Sequence, residues 1–291
     1  MTPDEFATGT IGTGQITADH AGSAAEEDLG YFGPQSVTWK VHSDPLALIG
    51  GLRALLLQAL HPEAMALLDA QSTFREAPWR RLQRTGLFVA TVAFAPRADV
   101  DRMAARVRGI HQKLGVVELD QLVWVHACEV DSFLVSAHRS GLRISPAEAD
   151  QYVREQQIAA ELVGIPRDAV PSTRIELKEY FAGIRPRLQA TDAARAAARV
   201  VLLPPMSVPI PLVLPARLGW TAVTSLAVGL LPAWAKRMYR LPPLPASDTV
   251  NALALRSLRV ATAPVPAQYR RSPLYRDALR RAGVERGDSA A

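Results

Sequence analysis

The chain has 291 residues, 48% hydrophobic and 21% charged, the balance of an ordinary globular protein with enough apolar material for a real core, in one large domain or two. Its net charge is +5, but only four of its 33 basic residues are lysines, and the scattered arginines alternate with acids and lack interleaved aromatics, which argues against nucleic-acid binding. The single cysteine, Cys128, cannot form an internal disulfide, and the opening residues have no basic stretch leading into an apolar one, so the expected location is cytoplasmic.

Residues 1–28 are rich in Gly, Thr and Ala without periodicity and read as a flexible arm. Folding is expected to start near "YFGPQSVTWKVHSDP". Asp44 then offers a helix N-cap and Pro45 a first position, with Leu46, Ile49, Leu52, Leu56 and Leu60 in helical spacing up to "HPE". The pair Gly50 and Gly51 costs that helix about 1 kcal/mol each against alanine, which points to close approach by another backbone or by a flat ligand.

Further helices are expected from Pro78 through "WRRLQRTGLFVATVAF" and through "RADVDRMAARVRGIHQKLG". In the second of these Val100, Ala104, Val107, His111 and Leu114 share a face and Gly115 closes the end. A fourth lies between Asp120 and Gly141. "SPAE" at 145–148 is a capping box opening a helix to about Val163, the Thr173–Glu176 pair repeats it, and "TDAARAAARVVLL" is an alanine-rich helix. The prolines at 204, 205, 209, 211 and 215 predict an extended connector, with helix resuming near Trp220 and again at "DTVNALALRSLRVA" before a charged tail. No strand-period stretch, repeat or phosphate loop occurs, so the expected fold is all-α: a single multi-helix domain over 29–263, with the C-terminal helices packed against it and a tail over 264–291. The apolar runs are interrupted or short of the roughly 20 residues that span a bilayer.

His126 is the first candidate for chemistry. It shares a helix face with Leu122, Val123, Val130, Phe133 and Ala137, so its ring points into apolar surroundings, with Glu129 one turn on. Such a histidine is either a satisfied core residue or a ligand; neutral imidazole suits haem iron or a non-haem metal, and Glu129 is either its orienter or a bystander. Arg81, Arg84 and Thr85 fall on one helical face, either solvated or, because the helix continues into an apolar run, buried and in need of an anion. His111 is a second inward histidine. His61 reads as a helix-terminal residue and His42 as a turn residue, and no HExxH, CxxC pair or GxSxG is present.

In order along the chain, "YFGPQSVTWKVHSDPLALIGGLRALLLQALHPEAM", "FREAPWRRLQRTGLFVATVAFA", "RVRGIHQKLG" and "LVWVHACEVDSFL" resemble the family that includes the rubber oxygenases (latex clearing proteins) and the MpaB-type oxygenase of mycophenolic acid biosynthesis. That resemblance, over roughly residues 30–260, implies an α-helical b-type haem protein using dioxygen, with His126 as the proximal iron ligand and Arg81, Arg84 and Thr85 as the polar distal cluster. Where rubber oxygenases carry a lysine able to coordinate iron, this chain has Arg84, whose guanidinium stays protonated and cannot ligate. Glu63 and Glu76 are the nearby choices for the family's basic glutamate.

The leading expectation is therefore a haem-dependent oxygenase acting on an apolar, unsaturated lipid or terpenoid-like molecule. In this expectation Gly50 and Gly51 admit the macrocycle, and Glu129 or a backbone carbonyl orients His126. Two alternatives stand beside it. One is a non-haem iron oxygenase built on His111, His126 and Glu129. The other is a non-catalytic helical protein that meets a lipid or membrane surface through "LVLPARLGWTAVTSLAVGLLPAW".

Overall fold

The computed structural model describes residues 28–70, 78–113, 115, 118–206, 209–242 and 247–284. The expected N-terminal arm to residue 27, Glu76 and Leu114 lie outside them. Among the described residues there are helices and no strands, as the missing period-two pattern predicts. The helices are α1 (Val37–His42), α2 (Ala47–Gln58), α3 (Pro62–Ala70), α4 (Pro78–Phe94), α5 (Arg97–Lys113), α6 (Leu119–Arg139) and α7 (Pro146–Leu162). They continue as α8 (Arg174–Ile184), α9 (Asp192–Leu202), α10 (Ile210–Gly229), α11 (Ala233–Met238), α12 (Ser247–Thr262), α13 (Ala267–Arg270) and α14 (Pro273–Arg281).

The centre of the fold is the pairing of α2 with α6. Gly50 makes it possible: a Cβ there would stand 3.0 Å from the Ser132 carbonyl oxygen and 3.1 Å from Phe133 Cα. Only a residue without a side chain lets the two backbones come so near. Gly50 is thus used for helix packing and not for a flat ligand. One turn on, the apolar helix carries Arg53, 3% exposed, whose charge is met by Asp131 at 2.8 Å, Ser132 Oγ at 2.6 Å and the Leu230 carbonyl at 2.9 Å. A buried cation is tolerable only when its donors are met in this way. Around this pair the main core gathers Leu56, Leu57, Leu60, Trp124, Ala127, Phe133, Tyr152 and Phe181.

Local sequence signals decide most helix ends. Ser145 and Glu148 form the reciprocal capping box of α7, and Thr173 and Thr191 cap α8 and α9 by accepting from the backbone N–H of Glu176 and Ala194. Gly115 and Gly141 follow α5 and α6 with φ of 69° and 88°. α1 is capped twice: Ser36 accepts from Trp39 N, while Glu155 of α7 accepts from Val37 N and Thr38 N at 3.2 and 2.7 Å.

Three expectations give way. α2 begins at Ala47: Asp44 accepts from Leu46 N, as an N-cap there would, but the turn that follows is closed by Ala47 N bonding three residues back to the Asp44 carbonyl, so the regular helix starts two residues late. The proline-rich stretch is helical from Ile210: Pro211 falls in the first turn, where its missing N–H costs nothing, and Pro215 gives up one ladder bond inside α10. The charged tail contains α14, whose Ala278 and Leu279 are buried against Trp39, Val92 and Phe94, with Tyr275 edge-on to Trp39.

Candidate functional site

His126 stands in the middle of α6. It is 8% exposed, and its ring makes no hydrogen bond to any described residue. Burial disfavours the imidazolium and holds the pKa down at about 4, so the ring is a neutral donor of a lone pair. Unlike His61 Nε2 and His111 Nδ1, neither ring nitrogen of His126 is sealed from solvent, so the ring is buried as a whole with a nitrogen that can still be reached. His42, also held at about 4 by burial, has a partner: its Nε2 lies 3.0 Å from the Tyr152 hydroxyl.

One turn beyond His126, Glu129 faces a small cavity of about 20 Å³ lined also by Thr38, His42, Phe88, Phe133 and Gln156. That is room for one water and little else. Burial pushes the Glu129 carboxyl up to about 7, with the Gln58 amide 3.4 Å away pulling the other way. Glu129 is therefore a proton-exchanging group near neutral pH, and no hydrogen bond joins it to His126. Gly51, on α2, is the glycine with space beside it: a Cβ there would meet only the Phe133 ring, at 3.9 Å.

α4 lies over this region. Leu82 packs against the cluster that holds Ile49 and Leu52, and Val89 onto the core that holds Val130 and Phe133. Thr85, half-buried, is on the same helical face between those two anchors. Arg81 and Arg84 are exposed, not buried as the apolar run beyond them suggested, and neither has an ion-pair partner among the described residues. Arg81 is nonetheless lowered from its ordinary pKa, by desolvation first and by Arg84 second.

His111, His126 and Glu129 do not form a metal site. Among the described residues, the set of three ligating side chains brought within 4.8 Å of one another is His61, Glu63 and Asp120. His61, 1% exposed, has an Nε2 without a partner, a feature that its reading as a helix-terminal residue missed. The carboxylates of this set are engaged by Arg187, at 2.5 Å from Asp120 and 3.9 Å from Glu63, and Arg187 holds Asp120 below its ordinary pKa. His111 is half-buried at the end of α5, with an unpartnered Nδ1.

A family model described as "ER-bound oxygenase mpaB/B'/Rubber oxygenase, catalytic domain" matches residues 39–263. The chain belongs to this family. It is accordingly an oxidoreductase of the oxygenase class, and the matched span runs from α1 to the end of α12, leaving α13 and α14 outside. No curated protein and no solved structure matches the chain.

Sequence reasoning singled out His126, Glu129 and the α4 cluster because each breaks its local pattern. It missed Arg53, although a lone arginine in "ALIGGLRALLLQ" is the same kind of signal, and it missed the cavity shared by His42 and Glu129, which only tertiary packing creates.

Proposed function

We propose that this oxygenase holds a b-type haem through His126 and acts with dioxygen on an apolar, unsaturated lipid or terpenoid-like molecule. The observation that carries the reading is the His126 ring: buried, neutral and without a protein hydrogen bond, so that a lone pair would be free for iron. Gly51 leaves space for a Cβ beside the Phe133 ring, and the two exposed guanidinium groups of Arg81 and Arg84, without ion pairs among the described residues, are of the kind that pairs with propionates.

When bound, the haem would supply the binding and activation of dioxygen. The chain's own residues do the rest. His126 would hold the haem through a ring nitrogen, and burial, which disfavours the imidazolium, leaves that nitrogen without a competing proton at neutral pH. Thr85 offers a hydroxyl donor on the inner face of α4. Arg84, always protonated, contributes charge and hydrogen bonds but never a ligating lone pair. Glu129, with a pKa near 7, can take up or release a proton beside the single-water cavity. The half-exposed apolar residues Phe88 and Val89 of α4 give an apolar substrate its wall.

Haem titration read by visible spectroscopy tests this. The wild-type protein is expected to give a Soret band that shifts on reduction, and His126→Ala to lose or alter it. An unchanged spectrum in the variant would remove His126 as the ligand.

A further inference from the structure

α10 is unusual in having two apolar faces. Its inner face packs on α2 and α12, burying Thr224 and Ala227. Its outer face runs Pro211, Leu214, Pro215, Leu218 and Ala222 at helical spacing, all exposed, with Leu214 67% and Leu218 64% accessible. No charged side chain interrupts that row over three turns; Thr221 and Arg217 lie along its edge. Only about a tenth of the apolar stretch Pro211–Gly229 is buried in the protein. α12, packed against α10, adds exposed Val250, Leu253 and Val260. Exposed apolar surface this continuous marks a site of association.

The charge distribution says what kind. From Ala193 to Ser247 there is no Asp or Glu, yet there are six basic residues, leaving 27 basic and 28 acidic residues in the remainder of the chain. The whole positive charge of the protein thus belongs to the segment that carries the apolar row. Arg199, Arg217, Arg237 and Arg240 in it are exposed and have no ion pair among the described residues. Leucines flanked by unpaired cations, without acids, are the chemistry of a surface that sits in the headgroup layer of an anionic bilayer.

We infer that the outer face of α10 docks on an anionic lipid surface. The helix is long enough to cross a bilayer, but its attachment to α2 and α12 along its inner side and the exposed Arg217 in its middle have it lie in the interface. Trp79 of α4 stacks edge-on with Trp220 of α10 at 4.6 Å, so the docked face adjoins the helix that roofs the His126 region. An apolar substrate dissolved in the bilayer would then be delivered beside the site. That last step rests on the oxygenase reading; the docking itself does not.

The test is co-sedimentation of the full-length protein, without added haem, with phosphatidylglycerol-containing vesicles and with pure phosphatidylcholine vesicles. Wild type is expected to sediment with the anionic vesicles and to be released by salt. Leu214→Glu/Leu218→Glu and Arg217→Glu/Arg237→Glu should each weaken binding roughly tenfold or more. These positions are exposed, so circular dichroism of the variants should match wild type. Failure of the wild type to bind either vesicle overturns the inference, as does full binding by the leucine variant, which would leave a purely electrostatic surface of the kind any polyanion meets. A dimer in light scattering that the leucine variant splits, without vesicle binding, would assign the face to a second copy of the chain instead. No haem uptake by wild type in a separate titration, with vesicle binding intact, would refute the haem reading alone.

Discussion

Two regions of the molecule set arginines among apolar side chains and treat them in opposite ways. At the α2–α6 interface, Arg53 is shut off from water and met by a carboxylate, a hydroxyl and a carbonyl. Along α4, Arg81 and Arg84 lie open to solvent with no anion supplied by the described residues. The histidines divide similarly: His42 has the Tyr152 hydroxyl, while His126 has nothing. Where the protein satisfies its own polar groups, they hold the fold; where it supplies no partner, they are available to something the chain does not provide.

The contrast can be broken at its strongest point first. Arg53→Ala leaves Asp131 without its cation and is expected to cost about 3–5 kcal/mol, read as a fall in urea midpoint. No such loss is expected for Arg84→Ala, whose effect belongs to cofactor uptake. Gly50→Ala should cost about 1–3 kcal/mol, since the new methyl would meet the α6 backbone at 3.0 Å and backbone yields little. The adjacent Gly51→Ala should leave stability unchanged or raise it by up to about 1 kcal/mol through helix propensity, while weakening haem uptake. Equal losses at the two glycines would erase the distinction between a packed and an open side of α2.

Glu129 gives a smaller effect with a defined pH window. Its folded-state pKa of about 7 stands above the ordinary 4.5, so the fold favours the protonated form. The stability this confers is fully present below about pH 4.5 and is lost as pH rises through 7. Glu129→Gln should therefore match wild type near pH 4.5 and exceed it at pH 8, by at most about 3 kcal/mol. Thermal unfolding at the two pH values reads the difference.

Helices were legible in the sequence where local rules decide. The Ser145 box, the Thr173 and Thr191 caps and the glycines after α5 and α6 each act through neighbours within four residues. α10 was misread because the count of prolines outweighed their positions: two fall at or near its start, where they are harmless, and one bond is lost inside. α14 was passed over as a charged tail because its apolar residues matter only against Trp39 and Phe94, far earlier in the chain. For the site, the pattern-breaking residues were visible, but their relations were not. That His111 stands apart from His126, that Gly50 and Gly51 have different neighbours, and that Arg187 occupies the His61 cluster are facts of tertiary packing, which no spacing encodes.

Thermal unfolding of wild type and His126→Ala, each with and without added haem, tests the central claim most directly. A ring that the fold does not use should be removable: the two proteins without haem should unfold within about 1 kcal/mol of each other, and haem should raise the Tm of wild type alone. A variant markedly less stable without haem, and shifted by haem as much as wild type, would make His126 a core residue and leave the open side of the molecule without its ligand.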